Sequence, residues 1–124
     1  MAYTTQISLQ MVTDIDGAAR NVPNTTYVIT HAAKGMIMGN LVTSDTAAVI
    51  PQGGVVPYYG FFSNLSATAT EYIDILNDTA VLSRLQPGEC ALISISQVGT
   101  PASNLKAKAY TGKTPTLSYF IIPA

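Results

Sequence analysis

Charge is what this chain has least of. Asp, Glu, Lys and Arg make up 10% of its 124 residues, against about 25% in an ordinary soluble domain. The net charge of -1 excludes the clustered basic footprint that duplex nucleic acid requires. One cysteine excludes an internal disulfide framework and any cysteine-rich zinc site. One histidine leaves no companion for a histidine metal cluster. Tryptophan, the aromatic most used to stack on sugar rings, is absent. No run approaches the ~18 uncharged apolar residues of a membrane helix. The opening "MAYTTQISLQMVT" alternates instead of running apolar, so no signal peptide is expected there.

What the chain does have is apolar and β-branched residues in quantity, with a hydrophobic share of 48%. A free monomer normally keeps charge on its surface and avoids wide apolar patches. The deficit points to surface that a partner covers, the plainer alternative being an ordinary Thr-rich β-protein. The length suits one domain with a real core.

Strand patterns dominate. In "QISLQMVT", Ile7, Leu9 and Met11 alternate with Gln6, Ser8 and Gln10, the period of a half-buried strand. "DIDGAARNVPN" carries the turn and loop formers Asp16, Gly17, Pro23 and Asn24. "TTYVITHAA" and "MIMGNLVT" read as strands broken by Lys34-Gly35, with Gly39-Asn40 expected to form a bulge or tight turn. "TSDTAAVI" is the one helix candidate, capped by Ser44 or Asp45. Pro51, Gly53, Gly54 and Pro57 make the following stretch irregular. Then come "FFSNLSA", "TEYIDILN", "CALISIS", "LKAKAY" and "TLSYFIIP", the last two joined by "TGKTP" as an expected hairpin. That makes about eight short strands between turn signals. The fold expected is all-β: a single-domain antiparallel β-sandwich of jelly-roll type over residues 1–124.

"TLSYFIIP" is apolar on both parities, with Leu117, Tyr119 and Ile121 on one face and Phe120 and Ile122 on the other. A strand apolar on both faces is covered on both. In a two-layer sandwich only one face meets the core, so the second is expected to meet another subunit or a long loop.

Each candidate for chemistry has a plainer structural reading. Cys90 follows the turn "QPGE"; as a nucleophile it needs a base, and nothing pairs it with His31. It is expected to be a small buried hydrophobe at the start of a strand. Pro87 and Gly88 suit the two central positions of a type II turn, and Glu89 faces solvent or a backbone donor. "DIDG" at 14–17 opens like a calcium loop but has Ala18 at the next ligand position and no closing Glu. The remaining carboxylates show no paired spacing for acid/base work, and no phosphate loop or nucleophile elbow occurs. No enzymatic activity, cofactor or metal is expected. Lys106, Lys108 and Tyr110 alternate along one strand face. That pattern can bind a single nucleic-acid strand or form a solvated edge, where lysines block unwanted pairing; the solvated edge is expected. "PYYGFF" supplies Tyr58, Tyr59, Phe61 and Phe62, a cluster suited to a partner's pocket or to closing the core. Sequons occur at Asn24, Asn64 and Asn77.

From Phe61 onward, four pieces follow in order: "NLSAT…EYIDI", "L-x-PGE", "LKAKA" and a closing "TLSYFII". Together they resemble a pattern in small β-sandwich virion structural proteins of tailed bacteriophages. The resemblance covers roughly the C-terminal half. It implies a non-enzymatic virion component, foremost a capsid decoration (cement) protein on the outside of an assembled major-capsid lattice. Such a protein would be a homo-oligomer, a trimer among the expected states, without direct nucleic-acid or membrane contact. The candidate interface residues are Tyr58, Tyr59, Phe61, Phe62, Tyr119, Phe120 and Ile122. The alternative is a neck, tail or surface module that binds a glycan or receptor.

Overall fold

The computed structural model describes residues 3–15, 18–31, 36–51, 57–95 and 104–123. They form β1 (Tyr3–Ile15), β2 (Ala18–His31), β3 (Ile37–Val42), β4 (Ala48–Val49), β5 (Pro57–Asn64), β6 (Ile73–Asn77), β7 (Ala80–Leu85), β8 (Cys90–Ser94), β9 (Leu105–Ala109) and β10 (Thr116–Pro123). The protein is all-β, and every strand pairing is antiparallel.

The chain divides into two compact units, Met1–Lys34 and Gly35–Ala124. The first is the two-stranded ribbon of β1 and β2. Both four-stranded sheets of the sandwich lie in the second unit. Ile15 pairs with Ala18 at the ribbon's tip; Asp16 and Gly17, the expected turn, lie outside the described residues. Residues 18–24, expected as loop, are strand. Pro23 and Asn24 are accommodated because the register shifts there, with Leu9 opposite Thr25 and Met11 opposite Val22. An irregularity is the place where a strand tolerates a residue that cannot donate.

The second unit is a jelly roll. Its eight strands form two four-stranded sheets, ordered β3-β10-β5-β8 and β4-β9-β6-β7. First pairs with last (β3 with β10), second with seventh (β4 with β9), third with sixth (β5 with β8) and fourth with fifth (β6 with β7). A long folded ribbon rolled so that β5 also meets β10 and β6 meets β9 gives this order.

The core lies between the sheets. Phe62, Leu117, Tyr119 and Ile121 come from one; Ile73, Ile75, Leu85, Leu105 and Ala107 come from the other. Each large side chain buried this way contributes about 1.5–3 kcal/mol relative to exposure.

Several local expectations give way to this topology. "TSDTAAVI" is no helix. Ser44 Oγ accepts from Thr46 N at 3.2 Å, and Asp45 Oδ2 accepts from Gly112 N at 3.0 Å. The backbone instead bonds sideways, Ala109 N to Ser44 O at 2.7 Å and Ile50 N to Leu105 O at 2.9 Å, so the segment lies along β9. Gly39 and Asn40 make no bulge; they pair regularly with Tyr119 and Ser118. "TGKTP" does turn, with Lys113 N to Tyr110 O at 3.0 Å and Gly112 at φ 75. Yet it carries the chain from one sheet to the other, so β9 and β10 are no hairpin. Two strands escape the sequence reading: the two-residue β4, and β7, which follows the tight Asp78-Thr79 connection.

Candidate docking face

Alternation in the β3-β10-β5-β8 sheet decides which side chains face outward. In β3, Ile37 and Leu41 pack on the core while Met38, Asn40 and Val42 are exposed. In β8, Ala91 and Ile93 pack inward, leaving Cys90, Leu92 and Ser94 outward. In β5, Phe62 and Asn64 are buried between Phe61 and Ser63. The register then aligns these residues in rows across the four strands. Met38 stands opposite Phe120, Phe120 opposite Phe61, and Phe61 opposite Leu92. Beside this apolar row runs a small polar one, Asn40, Ser118, Ser63 and Cys90.

The apolar residues here are open to solvent. Met38 is 66% exposed, Val42 67% and Phe61 43%, with Met36 just before β3 and Leu65 just after β5 also exposed. A shallow groove of about 420 Å³ runs between Met38, Phe61 and Phe120. The row formed by Ile122, Tyr59 and Ser94 differs: Ile122 is 2% exposed although it stands outside the core cluster. No residue of β3, β5, β8 or β10 is charged.

The other sheet is the opposite case. On its outer side Arg84 grips Asp74 with both arms, Nε to Oδ1 at 2.7 Å and Nη2 to Oδ2 at 2.9 Å. That hydrogen-bonded carboxylate raises the Arg84 pKa above its ordinary value. The guanidinium also lies 3.9 Å from the Tyr72 ring centre, and Tyr72 meets Tyr110 edge to face at 5.4 Å. Lys106 Nζ reaches Asp78 Oδ1 at 3.4 Å, and Lys108 stands opposite Asp74 in the register. One outer face is charged and internally paired; the other carries no charge.

The sequence candidates separate along these lines. Phe61 and Phe120 lie together on the open apolar row, and Tyr59 and Ile122 on the adjoining row. Phe62 and Tyr119 are core residues, at 0% and 7% exposure, and offer nothing to a partner. Both parities of the segment are aromatic, so composition alone could not tell the two sets apart. Tyr58 lies in β5, its side chain outside the described residues. Met38, Val42 and Leu65 join the face without having been singled out; the signal available was the uncharged alternation of "MIMGNLV".

Cys90 is exposed at the start of β8, not buried, because β8 is an edge strand and Cys90 takes an outward position. The turn before it is as expected: Gly88 has φ 81, Glu89 N donates to Gln86 O at 2.9 Å, and Glu89 Oε2 accepts from Gln86 N at 2.8 Å. His31 pairs with Tyr3 on the ribbon. Among the described residues no three His, Cys, Asp or Glu side chains gather as metal ligands, and no helix is long and apolar enough to cross a membrane. Of the sequons, Asn64 is buried and fully engaged: Nδ2 donates to Glu71 O and Leu85 O, and Oδ1 accepts from Ser66 N. It offers no nitrogen to a glycan.

Compared with protein-family models, with curated proteins and with solved structures, the chain matches none.

Proposed function

We propose that the chain is a non-enzymatic structural protein of a tailed-bacteriophage virion, a capsid decoration protein that binds and strengthens the assembled shell. The observation that carries this reading is the contrast between the two outer faces. A sheet whose four strands hold no charge, with Met38, Val42 and Phe61 standing open on it, is built to be covered. The resemblance of residues 61–124 to virion sandwich proteins agrees with it, and the strands β6 to β10 within that span belong to the jelly roll. Jelly rolls occur in both capsid and lectin domains, so the fold alone does not choose between them. On a lattice, a modest contact per subunit suffices because repetition supplies avidity.

The test is to mix purified protein with particles that lack it and sediment them. Co-sedimentation at a stoichiometry fixed by the lattice, with raised particle resistance to heat, is the expected outcome. Failure to associate with any particle retires the reading.

One observation favours a second reading, a glycan- or receptor-binding module. Tyr110 is 43% exposed and held in place by Tyr72, a fixed aromatic of the kind that stacks on a sugar ring. A glycan array on which Tyr110→Ala abolishes a specific signal would establish it.

A further inference from the structure

We infer that the open, charge-free face of the β3-β10-β5-β8 sheet is closed by a second copy of this chain, packed sheet on sheet about a twofold axis. The inference rests on the reading of that face as a covered surface, and adds what covers it.

Three observations choose a second copy over a different protein. First, an isologous interface sets one patch against itself, so any net charge on the patch would meet its like. This face has none to meet. Second, a non-identical partner is normally selected by complementary charge, which this face cannot supply. Interfaces between identical chains are the more apolar kind. Third, the apolar row is ordered for a twofold. Its midpoint falls between the paired Phe120 and Phe61, with Met38 and Leu92 at the flanks. A half-turn about that midpoint brings Phe61 over the second copy's central aromatics and lays apolar row on apolar row.

The dimensions suit such a pair. Four strands ~4.8 Å apart span roughly 19 Å, and the five residues from Thr116 to Phe120 about 17 Å. Faces of this kind stack about 10 Å apart with strands roughly 30° from aligned. The footprint lies at the small end of specific interfaces, ~1,200 Å² in total, so a concentration-dependent dimer is expected.

Native mass spectrometry and sedimentation equilibrium of the full chain test it, with Phe61→Lys and Phe61→Glu as variants. Phe61 is part-exposed, so both should keep the wild-type circular dichroism spectrum and unfold cooperatively. The wild type is expected to dimerise and each variant alone to be monomeric. An equal mixture of the two should regain dimers, since opposite charges then face each other near the axis. Val81→Lys, on an exposed position of the other sheet, should dimerise as the wild type does. A monomeric wild type, a trimer, or a dimer indifferent to charge at Phe61 overturns the inference. The decoration reading is judged separately: a monomer that binds particles removes only the dimer, and a Phe61-sensitive dimer that binds none removes only the virion role.

Discussion

The ring of Phe62 occupies the space that a side chain on Gly60 would need. A Cβ at Gly60 would clash with Phe62 Cζ and come 3.0 Å from Ile95 Cδ1. The two residues are neighbours on the inner face of β5, and the Phe62 ring leans back along the strand over the glycine. Gly60 is thus what allows the largest fully buried side chain of the sandwich to lie flat between the sheets. Gly60→Ala is expected to destabilise the protein by about 1–3 kcal/mol, the usual range for overpacking. Phe62→Leu added to it should recover part of that loss, because the shorter side chain vacates the clash. Urea unfolding of both variants checks the prediction.

Asn64 ends the same strand and ties three segments together. Its amide bridges the carbonyls of Glu71 and Leu85. Its backbone N bonds Glu89 O at 2.9 Å, and its backbone O accepts from Gly88 N at 3.1 Å. The β5–β6 loop and the Pro87-Gly88 turn are both anchored on this one residue. Asn64→Ala would strip buried carbonyls of their donor, at about 1–3 kcal/mol for each group left unsatisfied. Against a total of 5–15 kcal/mol for a domain, the loss is large. The expected result is a clear fall in the unfolding midpoint.

Thr70, in that loop, holds φ 72, a conformation costly for a β-branched residue. Thr70→Gly is expected to stabilise the protein by about 0.5–1 kcal/mol, because the relief of left-handed strain exceeds the added unfolded-state entropy. A thermal melt against the wild type reads the sign directly.

How far these features were legible depends on the range over which each is determined. The Pro87-Gly88 turn and the alternation of Ile73 and Ile75 are local, and residues a few places apart suffice to read them. Whether Ser44 to Ile50 coils or extends is decided by β9, some sixty positions on in the chain, through Leu105 O and Ala109 N. Local capping signals at Ser44 and Asp45 therefore misled. The same holds for Phe61 and Phe62. Adjacent aromatics identify a strand, but only pairing with Phe120 and Tyr119 and the opposing sheet decide which one is core. The charge-free face was foreshadowed by the low overall charge; its concentration on one sheet follows from the roll, which gathers four uncharged strands that are not neighbours in sequence.

Cys90 gives a direct check on the edge position of β8. An exposed thiol reacts with a disulfide reagent without denaturant, whereas a buried one waits for unfolding. At concentrations low enough to dissociate the sheet-on-sheet dimer, one equivalent per chain should react in native buffer. A thiol that titrates only in denaturant would show that β8 is covered.

Lys106, Lys108 and Tyr110 form the pattern closest to a single-strand nucleic-acid site, and the surrounding carboxylates decide against it. Lys106 reaches Asp78, Lys108 faces Asp74 across the strand pair, and Tyr110 is packed edge-on against Tyr72. Binding to phosphates depends on cations that release counterions; here Asp78 offsets Lys106 and Asp74 offsets Arg84, so the acids cancel most of the local positive charge and leave Lys108 alone. Mobility shifts with single-stranded DNA are expected to show no retention at physiological salt. Asp78→Asn, which frees Lys106, should raise retention at low salt only, with a steep loss on adding salt. Tight, salt-insensitive binding by the wild type would contradict this account, because stacking on Tyr110 would then outweigh the neutralised charge.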